Sequence, residues 1–398
     1  MRPVHAVEDL LHEIRGRGAE QQPDWPDPAQ TRRVRAALAD RPALVRPEDL
    51  RALGLLLARV AEGRALVVQS GDCAEDPEER TAGHVGRRVA VLDLLAGALR
   101  TATRKPVVRV GRIAGQYAKP RSSPVERVGD LELPSYRGHL VNGPEPDEES
   151  RRPDPLRLLL GYLAAGDVME HLGWRGPRPV RDLEAPVWTS HEALLLDYEV
   201  PLLRHDDEGR LYLGSTHWPW IGKRTRHVDG AHVALLARVG NPVACKVDAA
   251  LAPADLLALC ERLDPGRVPG RLTLISRMGA GLVADRLPPL VAAVRAAGHP
   301  VSWLCDPMHG NTVEAGDGTK TRVVPTVRRE VVLFQRAVES AGGVAAGLHL
   351  ETTPDEVTEC ASDRHGLDRV SEHYTTFCDP RLNPWQALGV VSAWRAAP

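Results

Sequence analysis

Short apolar, β-branched runs recur along the 398-residue chain, and helix-like stretches separate them. Eight runs qualify as strands: ALVVQ (65–69), PVVRVG (106–111), APVWTS (185–190), RLYLGS (210–215), PVACKV (242–247), LTLIS (272–276), PVSWLC (300–305) and AGLHLE (346–351). Between them PADLLALCERL (253–263), LPPLVAAVRAAG (287–298) and PTVRREVVLFQRAVESAG (325–342) are amphipathic at helical spacing. Proline near their starts, and glycine near the ends of the last two, mark helix boundaries. Near-continuous apolar strands alternating with helices predict a parallel sheet. Eight of them predict an α/β fold of the closed (β/α)8 TIM-barrel kind. Residues 1–64 read as an N-terminal helical extension and 65–398 as the barrel domain. Residues 112–184 read as a long loop insertion after the second strand.

The polar residues fall where such a barrel gathers its chemistry, at the C-terminal ends of the strands. SGDCAE, RIAGQYAKPRSSP, SHEALLLDYE, THWPWIGKRTR, RMGAG, DPMHGNT and TTPDEVTEC follow predicted strands, and most are more polar and glycine-rich than a connector requires. The basic residues are almost all arginine; of the few lysines, Lys119, Lys223, Lys246 and Lys320 lie in or beside these segments. A compact ammonium and a planar guanidinium are not interchangeable, so that placement is informative.

Bulk properties narrow the class. The 51 basic and 53 acidic residues balance, which gives no reason to expect a nucleic-acid or anionic-membrane partner. No apolar run approaches the ~20 residues of a membrane span, and the opening MRPVHAVEDLLHEIRGRG has no apolar signal core. The six cysteines are too sparse and irregular for a secreted disulfide scaffold or a Cys-x-x-Cys zinc site. A cytoplasmic enzyme is the expectation.

Two sets of residues carry candidate chemistry. Cys73, His309, Glu351 and Asp379 are potential metal ligands, each near a predicted strand end or in the C-terminal segment. A thiolate, an imidazole and two carboxylates suit Mn²⁺, Co²⁺, Fe²⁺ or Zn²⁺ rather than Mg²⁺ or Ca²⁺. Singly each signal is weak, because a buried cysteine more often packs a core. Arg112, Lys119, Arg121, Arg224, Lys246, Arg277, Lys320 and Arg322 form a cationic set. Lys246 and Arg277 stand inside or directly after apolar strands, where a charge without a partner is costly. Phosphate or carboxylate oxygens offset that cost, so small polyanionic substrates are expected.

QSGDCAE, GRIAGQYAKPRS, SHEALLLDYE, WIGKRTRHVDGAH, PGRLTLISRMGA, CDPMHGNT followed by KTR, HLETTPDEVTEC and CDPRLNPWQAL occur in order between about residues 65 and 390. This series closely resembles the type II 3-deoxy-D-arabino-heptulosonate 7-phosphate (DAHP) synthases. The resemblance implies a (β/α)8 barrel with a divalent metal, Mn²⁺ or Co²⁺. It further implies condensation of phosphoenolpyruvate with erythrose 4-phosphate at the entry to the shikimate pathway. By matching, Cys73, His309, Glu351 and Asp379 form the metal set. Arg112, Arg224, Lys246 and Arg277 hold phosphoenolpyruvate, and Lys119, Arg121 and Ser122 hold the phosphate of the aldose. Lys223 and Lys320 join the substrate-binding set, and Lys246, Arg277 and His309 are the expected catalytic groups. A homo-oligomer, dimer or tetramer, is also implied. Cys305 and Cys378 match positions that can lie close together beside the metal, where a redox-sensitive disulfide is the alternative to the two reduced thiols expected in the cytosol.

Ser70, Lys223, His139 and Asp248 depart from the usual family residues: Gly, Glu, Asp, and Gly or Ser respectively. These changes spare the metal and phosphate groups, so they lead to the expectation that the acceptor aldehyde is altered and erythrose 4-phosphate is a poor substrate. The competing readings are a catalytically silent paralogue that binds phosphoenolpyruvate or a partner protein, and a barrel metallohydrolase. The latter would carry a His-rich set from the first strand, and QSGD supplies none.

Overall fold

The computed structural model describes residues 3–175 and 185–395. The chain divides into two compact units. One comprises Met1–Arg51, Ala74–Val85 and Ile113–Asn241; the other comprises Ala52–Cys73, Gly86–Arg112 and Pro242–Pro398.

The second unit is built on six parallel strands: Leu66–Gly71, Val107–Arg112, Val243–Val247, Leu272–Ser276, Ser302–Cys305 and Val344–Glu351. The first of these in the chain lies between the second and the last. Its register pairs Gly71 with both Arg112 and Glu351, which sets three strand ends level. Ser276 is level with Val247 and Cys305 in the same way. Val243–Val247 and Leu272–Ser276 are buried at every position, as strands covered on both faces must be. Helices Pro253–Leu263, Val283–Ala296 and Val324–Ser340 follow their strands and supply that cover. The middle helix begins a turn before the predicted start, because Pro288 and Pro289 lie inside it rather than at its boundary. Gly347 adopts φ 138°, and a Cβ there would meet the Val67 carbonyl oxygen at 1.9 Å. Only glycine permits that approach between the first and last strands.

The first unit holds the helices Pro3–Arg15 and Pro28–Ala39; Asp27 caps the latter, accepting from the backbone N–H of Ala29 and Gln30 at 2.8 and 3.0 Å. The insertion after the second strand contains the hairpin Val125–Val128 with Leu131–Pro134, then the helix Leu156–His171. Its end, 176–184, lies outside the described residues.

One expected strand is corrected. RLYLGS does not enter the parallel sheet: Leu211–Leu213 pairs antiparallel with Leu203–His205. The Asp206 side chain accepts from the backbone N–H of Glu208 and Arg210 at 3.0 and 2.8 Å, closing a tight turn that Gly209 completes with positive φ. The strand that takes its place is Trp220–Ile221. With that strand and Trp188–Thr189, the parallel strands number eight, and the fold class is (β/α)8. No helix among the described residues is long and apolar enough to cross a membrane.

Candidate active site

The second unit brings most of the expected ligands together. At the tip of the first strand Gly71 adopts φ 150°, and a Cβ there would stand 2.7 Å from the Arg112 carbonyl oxygen. Asp72 and Cys73 follow at once. Cys73 is fully buried, and its Sγ accepts from the Asp379 backbone N–H at 3.4 Å and lies 3.3 Å from Thr376 Oγ1. One potential ligand atom from each of His309, Glu351 and Asp379 lies within 4.8 Å of the other two. His309 Nε2 is 3.1 Å from Glu351 Oε1. Three residues from three segments thus surround one small volume with one nitrogen and carboxylate oxygens, and the Cys73 sulfur lies against the backbone of the Asp379 segment. Such a set can hold a divalent transition ion.

Asp306, which the sequence reading missed, organises this cluster. Its carboxylate oxygens lie 2.8 and 3.0 Å from His309 Nδ1, accept from Lys246 Nζ at 2.9 Å, and accept from the Met308 backbone N–H at 3.1 Å. Burial pushes the Asp306 carboxyl up, but His309 and Lys246 outweigh it and hold the group well below the usual carboxylate range. An ionised Asp306 favours the Nδ1–H form of His309 and leaves Nε2 facing Glu351. Burial lowers the Lys246 ammonium, and Asp306 offsets part of that shift. The available signal was CDPMHGN itself, where an acid stands three residues before a candidate ligand at a strand end.

Arg112 is buried, with Nη2 donating to Glu351 Oε1 at 3.1 Å and Nη1 lying 3.0 Å from His349 Nε2. His349 Nδ1 lies 2.6 Å from Gln69 Oε1. Burial, aided by Lys246 and Arg112, keeps this imidazole neutral, so Nδ1–H donates to Gln69 and Nε2 accepts from Arg112. Arg277 donates through Nη2 to the His309 carbonyl oxygen at 3.2 Å, and its buried Nε has no hydrogen-bond partner. A buried guanidinium N–H left open is what an anion site needs. Arg322 is fully buried, 2.9 Å from Glu351 Oε2. Lys320 is exposed, with Nζ 4.0 Å from Asp379 Oδ1. Cys305 and Cys378 are free thiols, and burial drives the Cys305 thiol well up.

The other expected residues belong to the first unit. Lys119 is buried, its backbone N–H donating to the Arg137 carbonyl oxygen at 2.9 Å. Arg121 forms an ion pair with Glu126, and its backbone N–H donates to Gln21 Oε1 at 2.8 Å. Ser122 and Lys223 are exposed, and Arg224 is half-buried.

The departures from the usual family residues include three whose side-chain contacts bear on the site's surroundings. Ser70 Oγ is 2.7 Å from Thr352 Oγ1, His139 Nδ1 is 2.6 Å from the Tyr136 hydroxyl, and Asp248 Oδ1 accepts from the Ala250 backbone N–H at 3.3 Å.

Comparison with known proteins identifies the family. The model of the class-II DAHP synthetase family matches residues 10–175 and 167–393. The chain is 59% identical over 393 residues to a probable phospho-2-dehydro-3-deoxyheptonate aldolase of Pseudomonas fluorescens, covering 98% of each. It is 40% identical over 421 residues to a phospho-2-dehydro-3-deoxyheptonate aldolase of Streptomyces coelicolor, covering 94% of each. A solved phospho-2-dehydro-3-deoxyheptonate aldolase of Francisella tularensis shares the fold alone, with TM-score 0.51 at 12% identity over 97% of this chain and 95% of that one. The chain belongs to the class-II DAHP synthetase family.

Proposed function

We propose that this enzyme condenses phosphoenolpyruvate with erythrose 4-phosphate and water to give DAHP and inorganic phosphate. The observation that carries the reading is the gathering of His309, Glu351 and Asp379 within 4.8 Å of one another, beside the Lys246–Asp306 pair. Cys73, His309, Glu351 and Asp379 would hold the divalent ion. The thiolate and imidazole in the set favour Mn²⁺ or Co²⁺ over Mg²⁺. When bound, the ion supplies Lewis acidity to a carbonyl oxygen.

The chain's own residues account for the rest. Lys246, Arg112 and Arg277 are cations fixed by buried partners, and they suit the carboxylate and phosphate of phosphoenolpyruvate. Holding two mutually repelling anions in one orientation offsets much of the entropy of a bimolecular step. Cations already in place also favour the charge that gathers as phosphate departs. Lys119, Arg121 and Ser122 are assigned to the phosphate of the aldose, Arg224 and Lys223 to the enolpyruvyl side, and Lys320 to the rim near Asp379. The internal partners of Ser70, His139 and Asp248 favour erythrose 4-phosphate itself over an altered acceptor. Phosphorylated substrates, which do not cross membranes unaided, support a cytoplasmic reaction, and a dimer or tetramer, testable by sedimentation, completes the reading.

The test is direct. Protein loaded with Mn²⁺ or Co²⁺ is incubated with both substrates, and phosphate release and product mass are followed. Turnover near ~10 s⁻¹ with the mass of DAHP is the expected result. Absence of product with erythrose 4-phosphate, under conditions where the ion is bound, would overturn it.

A further inference from the structure

Behind the proposed metal ligands lies a buried chain of charged groups, none of them in the proposed ligand or substrate-binding sets. Glu359 is fully buried, and its oxygens accept from the backbone N–H of Thr375, Thr376 and Arg381 at 3.0, 2.8 and 2.7 Å. The Arg381 guanidinium grips the same carboxylate in a fork, with Nε and Nη2 at 3.0 and 2.7 Å. From there Arg381 Nη1 donates to Asp72 Oδ2 at 3.0 Å, and Asp72 Oδ1 accepts from the Cys73 backbone N–H at 2.9 Å. Arg88 Nη2 lies 3.8 Å from Asp72 Oδ2 and adds a second cation.

Two features of this chain argue for a particular role. It joins the backbone of Cys73 to the segment 375–381 that carries Asp379, although the two ligands are 306 residues apart in sequence. It is also balanced in charge, with Asp72 and Glu359 against Arg88 and Arg381. A neutral network adds no net attraction for a cation at a distance, so its effect on an ion must come through geometry. Buried ion pairs add little to stability compared with well-packed apolar residues, whereas outer partners of metal ligands strongly tune affinity.

We propose that Asp72, Arg381 and Glu359 are positioning residues that fix Cys73 and Asp379 against each other before the ion arrives, so that the site is preorganised. This inference rests on the metal assignment made above.

The test uses Co²⁺, whose thiolate-to-metal charge-transfer absorption reports ligation by Cys73, together with titration calorimetry for affinity. Asp72→Asn and Arg381→Lys keep the size of each side chain but remove the carboxylate charge or the forked geometry. Thr375→Val, at an exposed position, removes only the hydroxyl that accepts from Arg381 Nη2 at 2.6 Å. Its fold is therefore the least at risk. The expected result is Co²⁺ affinity reduced about 10–100-fold in the first two variants and about 2–10-fold in the third. The charge-transfer band should weaken in step, while the metal-free melting temperature of Thr375→Val stays near wild type. The double variant Asp72→Asn/Arg381→Lys should lose little more than the worse single variant, because the groups act as one unit. Wild-type affinity and band in the folded variants, Thr375→Val included, would overturn the positioning role while leaving the metal site intact. Failure of the wild-type protein to bind Co²⁺, or an unchanged band in Cys73→Ala, would overturn the metal assignment and the inference with it.

Discussion

His309 Nδ1 lies 2.8 Å from a carboxylate oxygen of Asp306. The contact leaves one nitrogen of the ring, Nε2, to face Glu351. Asparagine at 306 would keep the shape but could present its amide N–H₂ to the ring and admit the other tautomer. Asp306→Asn is expected to weaken Mn²⁺ or Co²⁺ binding about 10–100-fold, read by calorimetric titration. Wild-type affinity in this variant would show that His309 needs no orienting partner.

Cys73 supplies the softest atom of the proposed ligand set, and its removal should cost most for the ions that favour sulfur. Cys73→Ala is expected to lower Co²⁺ affinity at least about 10-fold, in line with loss of a ligand or its support. An unchanged stoichiometry and dissociation constant would remove Cys73 from the set.

Lys246 and Arg277 can be tested apart from the metal. Lys246→Met takes one cation from Asp306, but the carboxylate keeps His309 Nδ1 and the Met308 backbone N–H at 2.8 and 3.1 Å. The barrel should therefore stay folded. Arg277→Leu removes the guanidinium whose Nε is open. Both variants are expected to lose phosphoenolpyruvate binding by at least about 10-fold, since a charge-assisted contact contributes ~1.5–3 kcal/mol. Normal titration of phosphoenolpyruvate by either folded variant would exclude that residue from the site.

The fold was largely legible because burial on both faces writes a strand as an unbroken apolar run, and seven of the eight expected runs contain or overlap parallel strands. RLYLGS misled because a two-stranded hairpin buried on the first unit has the same composition, and the Asp206 turn before it carries the distinguishing signal. The proposed ligand set was suggested only by a series of motifs in order. Cys73 alone looks like core, and His309 alone looks like a loop histidine. Asp306 had a local signal in CDPMHGN, but Asp72, Glu359 and Arg381 were not legible, because a buried ion pair is recognisable only when its distant partners are known. Arg381 meets Asp72 across 309 residues of chain, a pairing no local pattern encodes.

Glu330, on the helix Val324–Ser340, gives a pH-dependent prediction. Its oxygens accept from the Gly279 backbone N–H at 2.8 Å and from Asn311 Nδ2 at 2.5 Å, and burial raises its carboxyl from 4.5 to about 8. The folded state therefore holds this proton more tightly than the unfolded chain does. That contribution is complete below the unfolded value of 4.5 and is lost as pH rises through about 8. Chemical denaturation at pH 5, 7 and 9 should show wild type losing stability relative to Glu330→Gln as pH rises, by at most about 1.4 kcal/mol per pH unit. A difference between the two proteins that does not vary with pH would refute it.

The joining of Cys73 to Asp379 also bears on how the protein is made. The two are 306 residues apart, and at about 5–20 residues per second a ribosome finishes the second roughly 15–60 s after the first. During that interval the thiol lacks its contacts with Thr376 and Asp379, and the proposed ligand set is incomplete. On the proposed assignment, all four ligands are present together only once residue 379 has been made.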